Sequence, residues 1–334
     1  MAKSDRIICI GSAGKDIFLP TAEAVIIDTP EDTYSQQKLC FELGGKHHIE
    51  DRFESPGGCA TNVSVGVARL GVAVSIYSCV GYDSDGEWII AELTKNSISC
   101  EKIIQLADMR TDLSAIIVDK NTGERTIFAN RDVGEHLEIC EDDIKDHQWL
   151  FVGSLYGEYH THTKRIKNIL EDQDLSFIFN PGQHNIKENV EEVLSLIGYT
   201  TLLFVNKDEA IEIVANAKPM YNENELSNED KLLDALRECG AQIVVLTDGK
   251  RGAWTADDAE HYHIEPHDGG GSALDTTGAG DAFSSGFIAA YLYEQSLQEC
   301  LSWGSINATG VVGYYGAHKG LLQKESMLKK CDEE

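Results

Sequence analysis

Trp149-Leu150-Phe151-Val152, Phe177-Ile178-Phe179-Asn180, Leu202-Leu203-Phe204-Val205-Asn206 and Ile243-Val244-Val245-Leu246-Thr247 are four short apolar runs spread over the second half of the chain. Each is too short for a helix and rich in β-branched or aromatic residues, so each reads as a buried strand. Residues 160–171, 190–197 and 232–239 lie between them and read as helices. Repeated strand–helix alternation builds a mostly parallel sheet covered by helices, an α/β fold. Toward the N-terminus, Arg6-Ile7-Ile8-Cys9-Ile10-Gly11 reads as the opening central strand. A helix over 60–70 follows from Val63, Val67 and Leu70 with Gly71 as its stop, then a strand over 74–81 and a helix over 84–96.

Two segments break the alternation. From Ile17 to Glu54, Val25-Ile26-Ile27 and Leu39-Cys40-Phe41 are interrupted by Thr29-Pro30-Glu31-Asp32 and Gly44-Gly45, with no helical period. Residues 113–119 and 126–129 form a second strand pair, joined by the turn-rich Asn121-Thr122-Gly123-Glu124. The expected organisation is a main domain over 1–16, 55–111 and 131–334, with a small β-sheet lid from 17–54 and 112–130. Residues 219–230 are polar and acidic and read as a loop or a broken helix.

The 334 residues allow two domains or one large layered structure with an appendage. Lys and Arg number 28 and Asp and Glu 56, a formal net charge of −28. Such a chain lacks the clustered cations that neutralise nucleic-acid phosphates, so no nucleic-acid partner is expected. An anionic substrate can still bind at a local positive site. No run approaches the ~18 apolar residues of a membrane span and no N-terminal stretch reads as a secretory signal, so no membrane partner and a cytoplasmic location are expected. The 9 cysteines are scattered without a C-x-x-C pair, and neither His47-His48 nor His261-x-His263 has a further ligand at fixed spacing.

Leu274-Asp275-Thr276-Thr277-Gly278-Ala279-Gly280-Asp281-Ala282-Phe283, before a helical stretch from Ser284, carries the chemistry. Gly278 and Gly280 around Ala279 let the backbone curl at a helix start, where N–H groups and the positive helix end converge. Asp281 in the first turn reads either as a helix cap or as a base facing a bound anion. The Walker pattern is absent, and the third glycine of G-x-G-x-x-G is missing.

Residues 275–281 resemble the C-terminal signature of the ribokinase family of sugar and nucleoside kinases, the family of the minor phosphofructokinase. Gly57-Gly58-Cys59-Ala60-Thr61-Asn62, continuing into Ala68-Arg69-Leu70-Gly71 and Val80-Gly81-Tyr82-Asp83-Ser84-Asp85-Gly86, resembles the N-terminal one. Gly11 to Asp16, Asn206-Lys207-Asp208-Glu209, Thr247-Asp248-Gly249 and Gly316-Ala317 follow in the family's order, so the resemblance spans about Arg6 to Leu322. It implies a three-layer α/β/α fold with a small β-sheet lid that excludes water and pairs with a second copy in a homodimer.

The resemblance also implies an ATP-dependent transfer of the γ-phosphoryl group to a primary hydroxyl of a sugar. Asp281 is then the general base, and in the turn opened by Gly278 the N–H groups of Ala279, Gly280 and Asp281 hold the phosphate oxygens. Asp16, Gly57, Gly58 and Asn62 bind the acceptor; a turn Asp, a helix-entry Gly and a first-turn Asn are the plain structural alternatives. Asn206 and Glu209 organise Mg2+ through water, or simply cap a helix. Thr247, Gly249 and Asn307 bind the nucleotide, and Asp275 and Thr277 fit a loop for a monovalent cation such as K+. Gly14 stands where ribokinases have an Asn, Gly153-Ser154-Leu155-Tyr156 lacks their ribose-contacting Glu, and Tyr314 replaces a residue often basic. The acceptor is expected to be a neutral polyol, because Lys15, Arg69 and Arg131 are the sole candidates to balance an acceptor phosphate. A nucleoside kinase of the same fold is the alternative. A catalytically idle regulatory subunit is the different-class alternative, which the presence of Asp281 disfavours.

Overall fold

Alternate residues of the first strand, Ile7 and Cys9 against Ile8 and Ile10, are fully buried in two different apolar cores. A strand does this when helices cover both faces of its sheet. The computed structural model describes residues 6–29, 37–49, 51–268 and 274–332. In chain order the elements are β1 (Arg6–Ile10), β2 (Gly14–Thr21), β3 (Val25–Asp28), β4 (Gln37–Cys40), β5 (Phe53–Gly57), α1 (Cys59–Arg69), β6 (Ala73–Gly81), α2 (Ser84–Lys95), β7 (Ser99–Leu106), β8 (Asp112–Asp119), β9 (Arg125–Asn130), β10 (Trp149–Val152), α3 (Tyr159–Asp172), β11 (Ser176–Phe179), α4 (Gly182–Ile197), β12 (Leu202–Asn206), α5 (Lys207–Ala217), α6 (Glu223–Leu226), α7 (Glu229–Glu238), β13 (Ile243–Thr247), β14 (Ala253–Ala256), β15 (His261–Ile264), α8 (Ala279–Leu292), α9 (Leu297–Val311) and α10 (Lys324–Asp332).

A nine-stranded sheet runs in the order β15-β14-β13-β12-β11-β10-β1-β6-β7. Strands β7 through β13 in that order are parallel, and β14 and β15 return antiparallel at one edge. Residues of α1, α2, α8, α9 and α10 join Ile7, Cys9 and Ile76 in one core. Those of α3, α4, α5 and α7 join Ile8, Ile10 and Tyr77 in the other, which completes three α/β/α layers. No helix among the described residues is long and apolar enough to cross a membrane.

The strand-rich interruptions form their own sheets: β5-β2-β8-β9, and the separate pair β3-β4. The larger is mixed, with β2 parallel to β8 and antiparallel to β5. Its boundaries differ from the expectation. β2 begins at Gly14 and β5 ends at Gly57, so Asp16 rides on the small sheet and not on the edge of the main one. Pairing of Gly14 with Gly57 and Asp16 with Ser55 draws those residues in, a long-range contact that leaves no mark on the local pattern before Ile17. Residues 30–36, which include Pro30, Glu31 and Asp32 of the interruption at Thr29-Pro30-Glu31-Asp32, lie outside the described residues.

Helix α4 starts eight residues before the sequence signal at Val190, because Asn189 (φ −159°, ψ 88°) interrupts the helical path and masks the period. The polar 219–230 segment contains the short α6 and the start of α7, each opened by an asparagine cap, Asn222 and Asn228. The edge strands β7 and β15, the strand β14 beside β15 and the helix α5 carried no clear signal.

Candidate active site

Gly66 on α1 faces Ser285 on α8 so closely that a Cβ there would lie 2.1 Å from Ser285 Oγ. The missing side chain lets the two helices touch. One turn toward both N-termini, the same approach brings Asn62 to Asp281: Asn62 Nδ2 donates to Asp281 Oδ2 at 2.8 Å. Asp281 is half-buried at the first turn of α8. Desolvation pushes its carboxyl above the usual carboxylate range, opposed by hydrogen bonds from Asn62 and the Cys59 thiol. Burial and the neighbouring carboxylate push the Cys59 thiol well up in turn, which keeps it protonated as a donor.

The turn ahead of α8 has the shape its glycines imply. Gly278 is left-handed (φ 75°) and a Cβ there would sit 2.2 Å from that of Ala317, so backbone geometry and packing both require glycine. Gly280 differs: a Cβ there meets no protein atom within 4 Å, so the protein leaves that side of the turn open. The first turn of a helix has N–H groups with no preceding carbonyl to accept them. Ala279 N–H instead turns toward Thr276 O at 3.3 Å, which leaves Gly280 and Asp281 as the better donors to an anion seated in that open space. Asp275, buried, braces the turn: Oδ1 accepts from Thr277 N (2.9 Å) and Oγ1 (2.7 Å), and Oδ2 from Gly316 N (3.2 Å). The two residues offered for a monovalent cation thus form a turn closed on itself.

Asp16 faces the same cleft from β2. Burial raises its carboxyl to about 6, against the lowering effects of Ser114 and Arg131, while Asp281 and Asp275 push it further up. Gly57 packs on it directly, since a Cβ there would lie 2.1 Å from Asp16 Oδ2. Gly58, with φ 103°, opens α1, and its missing side chain admits the Ser12 carbonyl. Of the three cations named from sequence, Arg131 alone reaches Asp16. It lies over the Tyr156 ring at 5.5 Å, with Nη2 3.3 Å from Ser114 Oγ. Lys15 is tied to Glu54 and Asp85, and Arg69 to Asn96 and the His318 carbonyl.

Asn206 and Glu209 form a capping box at the start of α5: Asn206 Oδ1 accepts Glu209 N and Glu209 Oε2 accepts Asn206 N, both at 2.9 Å. The capping alternative is therefore realised. Glu209 is nevertheless buried with its carboxyl raised to about 6, first by desolvation and further by the charge of Asp281. Thr247 pairs directly with Asn206 across β12 and β13, and Gly249 takes a left-handed φ of 48° just beyond. Asn307 is not part of this cleft. It is fully buried, with Nδ2 donating to Ala282 O and Ser285 Oγ and Oδ1 accepting from Leu322 N, and so ties α9 to α8 and the C-terminal segment.

Four residues of the cleft were not singled out from the sequence: Cys59, Ser114, His318 and Arg125, whose Nη1 bonds Thr276 Oγ1 and joins the small sheet to the glycine turn. Cys59 lies inside the quoted N-terminal signature and His318 directly after Gly316-Ala317, so proximity to a motif was the available signal.

A three-layer α/β/α body, a small sheet carrying a carboxylate and a glycine turn opening a helix beside a second carboxylate define the architecture of small-molecule kinases. The pattern of the pfkB family carbohydrate kinases matches residues 23–324, and the chain belongs to that family. It is 26% identical over 331 residues to a nucleoside kinase of Methanocaldococcus jannaschii, covering 99% of this chain and 98% of that one. It is 25% identical over 278 residues to a ribokinase of Haemophilus influenzae, covering 82% and 86%. Among solved structures, a Thermotoga maritima ribokinase superposes with a TM-score of 0.77 at 21% identity, covering 98% of this chain and 99% of that one. The chain is therefore a kinase of the sugar and nucleoside class with the ribokinase fold.

Proposed function

We propose that the protein transfers the γ-phosphoryl group of ATP to a hydroxyl of a neutral sugar, with Asp281 as general base. The observation that carries this reading is Asp281, a carboxylate aimed by Asn62 beside the open side of Gly280. In phosphoryl transfer the protein contributes mainly position and charge stabilisation. Asp281 takes the proton from the attacking hydroxyl, and the N–H groups of Gly280 and Asp281 receive the transferring oxygens. Asp16 and Asn62 orient the acceptor, and the lid sheet that carries Asp16 keeps water from competing.

Glu209 and Asn206 fit a Mg2+ held mostly by phosphates and water. A buried carboxylate and an amide at one strand end suit an ion that keeps several waters, and no group of three or more His, Cys, Asp or Glu among the described residues forms a cage. Bound there, the ion supplies charge neutralisation of the β- and γ-phosphates. Thr247 and Gly249 adjoin this end of the sheet and would flank the nucleotide.

A neutral acceptor follows from the charges. Arg131 already faces Asp16, and a phosphorylated acceptor would leave Asp16 and Asp281 uncompensated. The second reading, a nucleoside acceptor, is favoured by the end-to-end similarity to the archaeal nucleoside kinase. An ADP-release screen of sugars, nucleosides and sugar phosphates with Mg2+ and ATP separates the two. Turnover on sugar phosphates alone would overturn both. Asp281→Asn should lower kcat by about 10² to 10⁴-fold while ATP binding persists, and near wild-type turnover in that variant would remove Asp281 as the base.

A further inference from the structure

We propose that His318 is a positioning residue for the reaction: its imidazole fixes which way the Asn62 amide faces, and through Asn62 it holds Asp281 ionised and aimed at the acceptor. This rests on the reading of Asp281 as the base.

An amide has two unlike ends, and its orientation here follows from its partners. An ionised carboxylate can only accept, so the Asn62 end that meets Asp281 Oδ2 must be the NH2 group. Asn62 Oδ1 then points the other way, where His318 Nε2 lies 3.0 Å distant. That contact is attractive only if Nε2 carries the proton. His318 is 9% exposed. Burial, with the charge of Arg69 adding to it, lowers its imidazole to about 3. A neutral imidazole has one ring proton, and the Asn62 carbonyl selects the tautomer that places it on Nε2. Without this donor the amide can rotate and turn its oxygen toward the carboxylate, which disfavours the charged form.

His318 is itself held by the segment it belongs to. Arg69 Nη1 donates to the His318 carbonyl, and the preceding Ala317 is the residue packed into the space left at Gly278. One short stretch, Gly316 to His318, therefore braces the glycine turn through Asp275 and Ala317 and aims the carboxylate through Asn62. The titratable and charged groups that also bear on Asp281 are Cys59 from α1, Asp16 from β2 and Glu209 from α5, and the one that bears on His318 is Arg69 from α1.

The test compares His318→Leu, which removes the donor, with His318→Gln, whose amide nitrogen can reach the place of Nε2. His318→Asn, too short to do so, serves if the leucine variant does not fold. Readouts are kcat, KM for ATP and acceptor, and the pH profile of kcat/KM. His318→Leu or His318→Asn should lower kcat about tenfold with little change in KM for ATP. The acid limb of the profile should move to higher pH, because Asp281 loses a bond that favours its charged form. His318→Gln should recover most of the turnover and return the limb. In an Asn62→Ala background, His318→Leu should move the limb no further. A drop in kcat with the limb in place, or a glutamine variant as impaired as leucine, would overturn the proposal. Failure of the base reading shows separately, as turnover retained by Asp281→Asn.

Discussion

Gly66→Ala is a single methyl, placed on a helix one turn from the bonded pair Asn62 and Asp281. Its Cβ would lie 2.1 Å from Ser285 Oγ and 2.5 Å from Ser285 Cβ. Carbon atoms in contact settle near 3.5–4.0 Å, so a gap of about 1 Å or more must open between α1 and α8. Rotating Ser285 does not suffice, because the clash includes its Cβ and its hydroxyl is engaged with Ala282 O and Asn307 Nδ2. Overpacking of this kind costs roughly 1–3 kcal/mol. The functional cost is larger. Moving α1 back by about 1 Å stretches the 2.8 Å Asn62–Asp281 bond past hydrogen-bonding range, and a misplacement of that size costs on the order of 10²-fold in rate. Thermal unfolding and steady-state ADP release should therefore fall together in Gly66→Ala. Ser285→Gly in the same chain removes both clashing atoms and should restore most of each. Normal turnover and an unchanged thermal midpoint in Gly66→Ala would show that the helices do not need this contact to set the site.

Gly278→Ala should lower the thermal midpoint, since the left-handed φ alone costs about 1–2 kcal/mol and Ala317 blocks the methyl; Gly280→Ala, with open space around it, should leave the midpoint in place and raise KM for ATP or lower kcat. Asp16, with its carboxyl at about 6, should accept acceptor hydroxyls fully only above that pH, so KM for the acceptor should rise as pH falls through 6 and stop doing so in Asp16→Asn. The same shift has a stability consequence of opposite sense. The folded-state values of Asp16 and Glu209, both about 6, lie above the ordinary carboxylate range of the unfolded chain, so their contribution is present at low pH and lost as pH rises through 6. Denaturant titrations from pH 5 to 7.5 should show Asp16→Asn gaining stability relative to the parent as pH rises. Chelation of Mg2+ should abolish turnover without lowering the thermal midpoint of the nucleotide-free protein, because the capping box of Asn206 and Glu209 is complete by itself.

What was legible in the sequence and what was not divides along the range of the interactions. β10, β11, β12 and β13 are buried on both faces, so each is an uninterrupted apolar run and stands out. β7, by contrast, is an edge strand whose residues alternate between half-buried and exposed, and its polarity hides it. The glycine turn was legible because a left-handed residue and an open helix start have a local signature. Asn62 lies 219 positions from Asp281 and 256 from His318, and its bond to Asp281 depends on Gly66 letting α1 reach α8. Nothing in the local pattern at Gly66 distinguishes it from a weak helix position. Its meaning comes from Ser285 on the facing helix, four residues beyond the carboxylate, just as Gly66 is four beyond the amide. The equal spacing is the geometric link: the Gly66–Ser285 contact and the Asn62–Asp281 bond lie one turn apart on the same pair of helices, so the glycine that costs α1 some intrinsic stability is what lets the amide of Asn62 come within hydrogen-bonding distance of the Asp281 carboxyl.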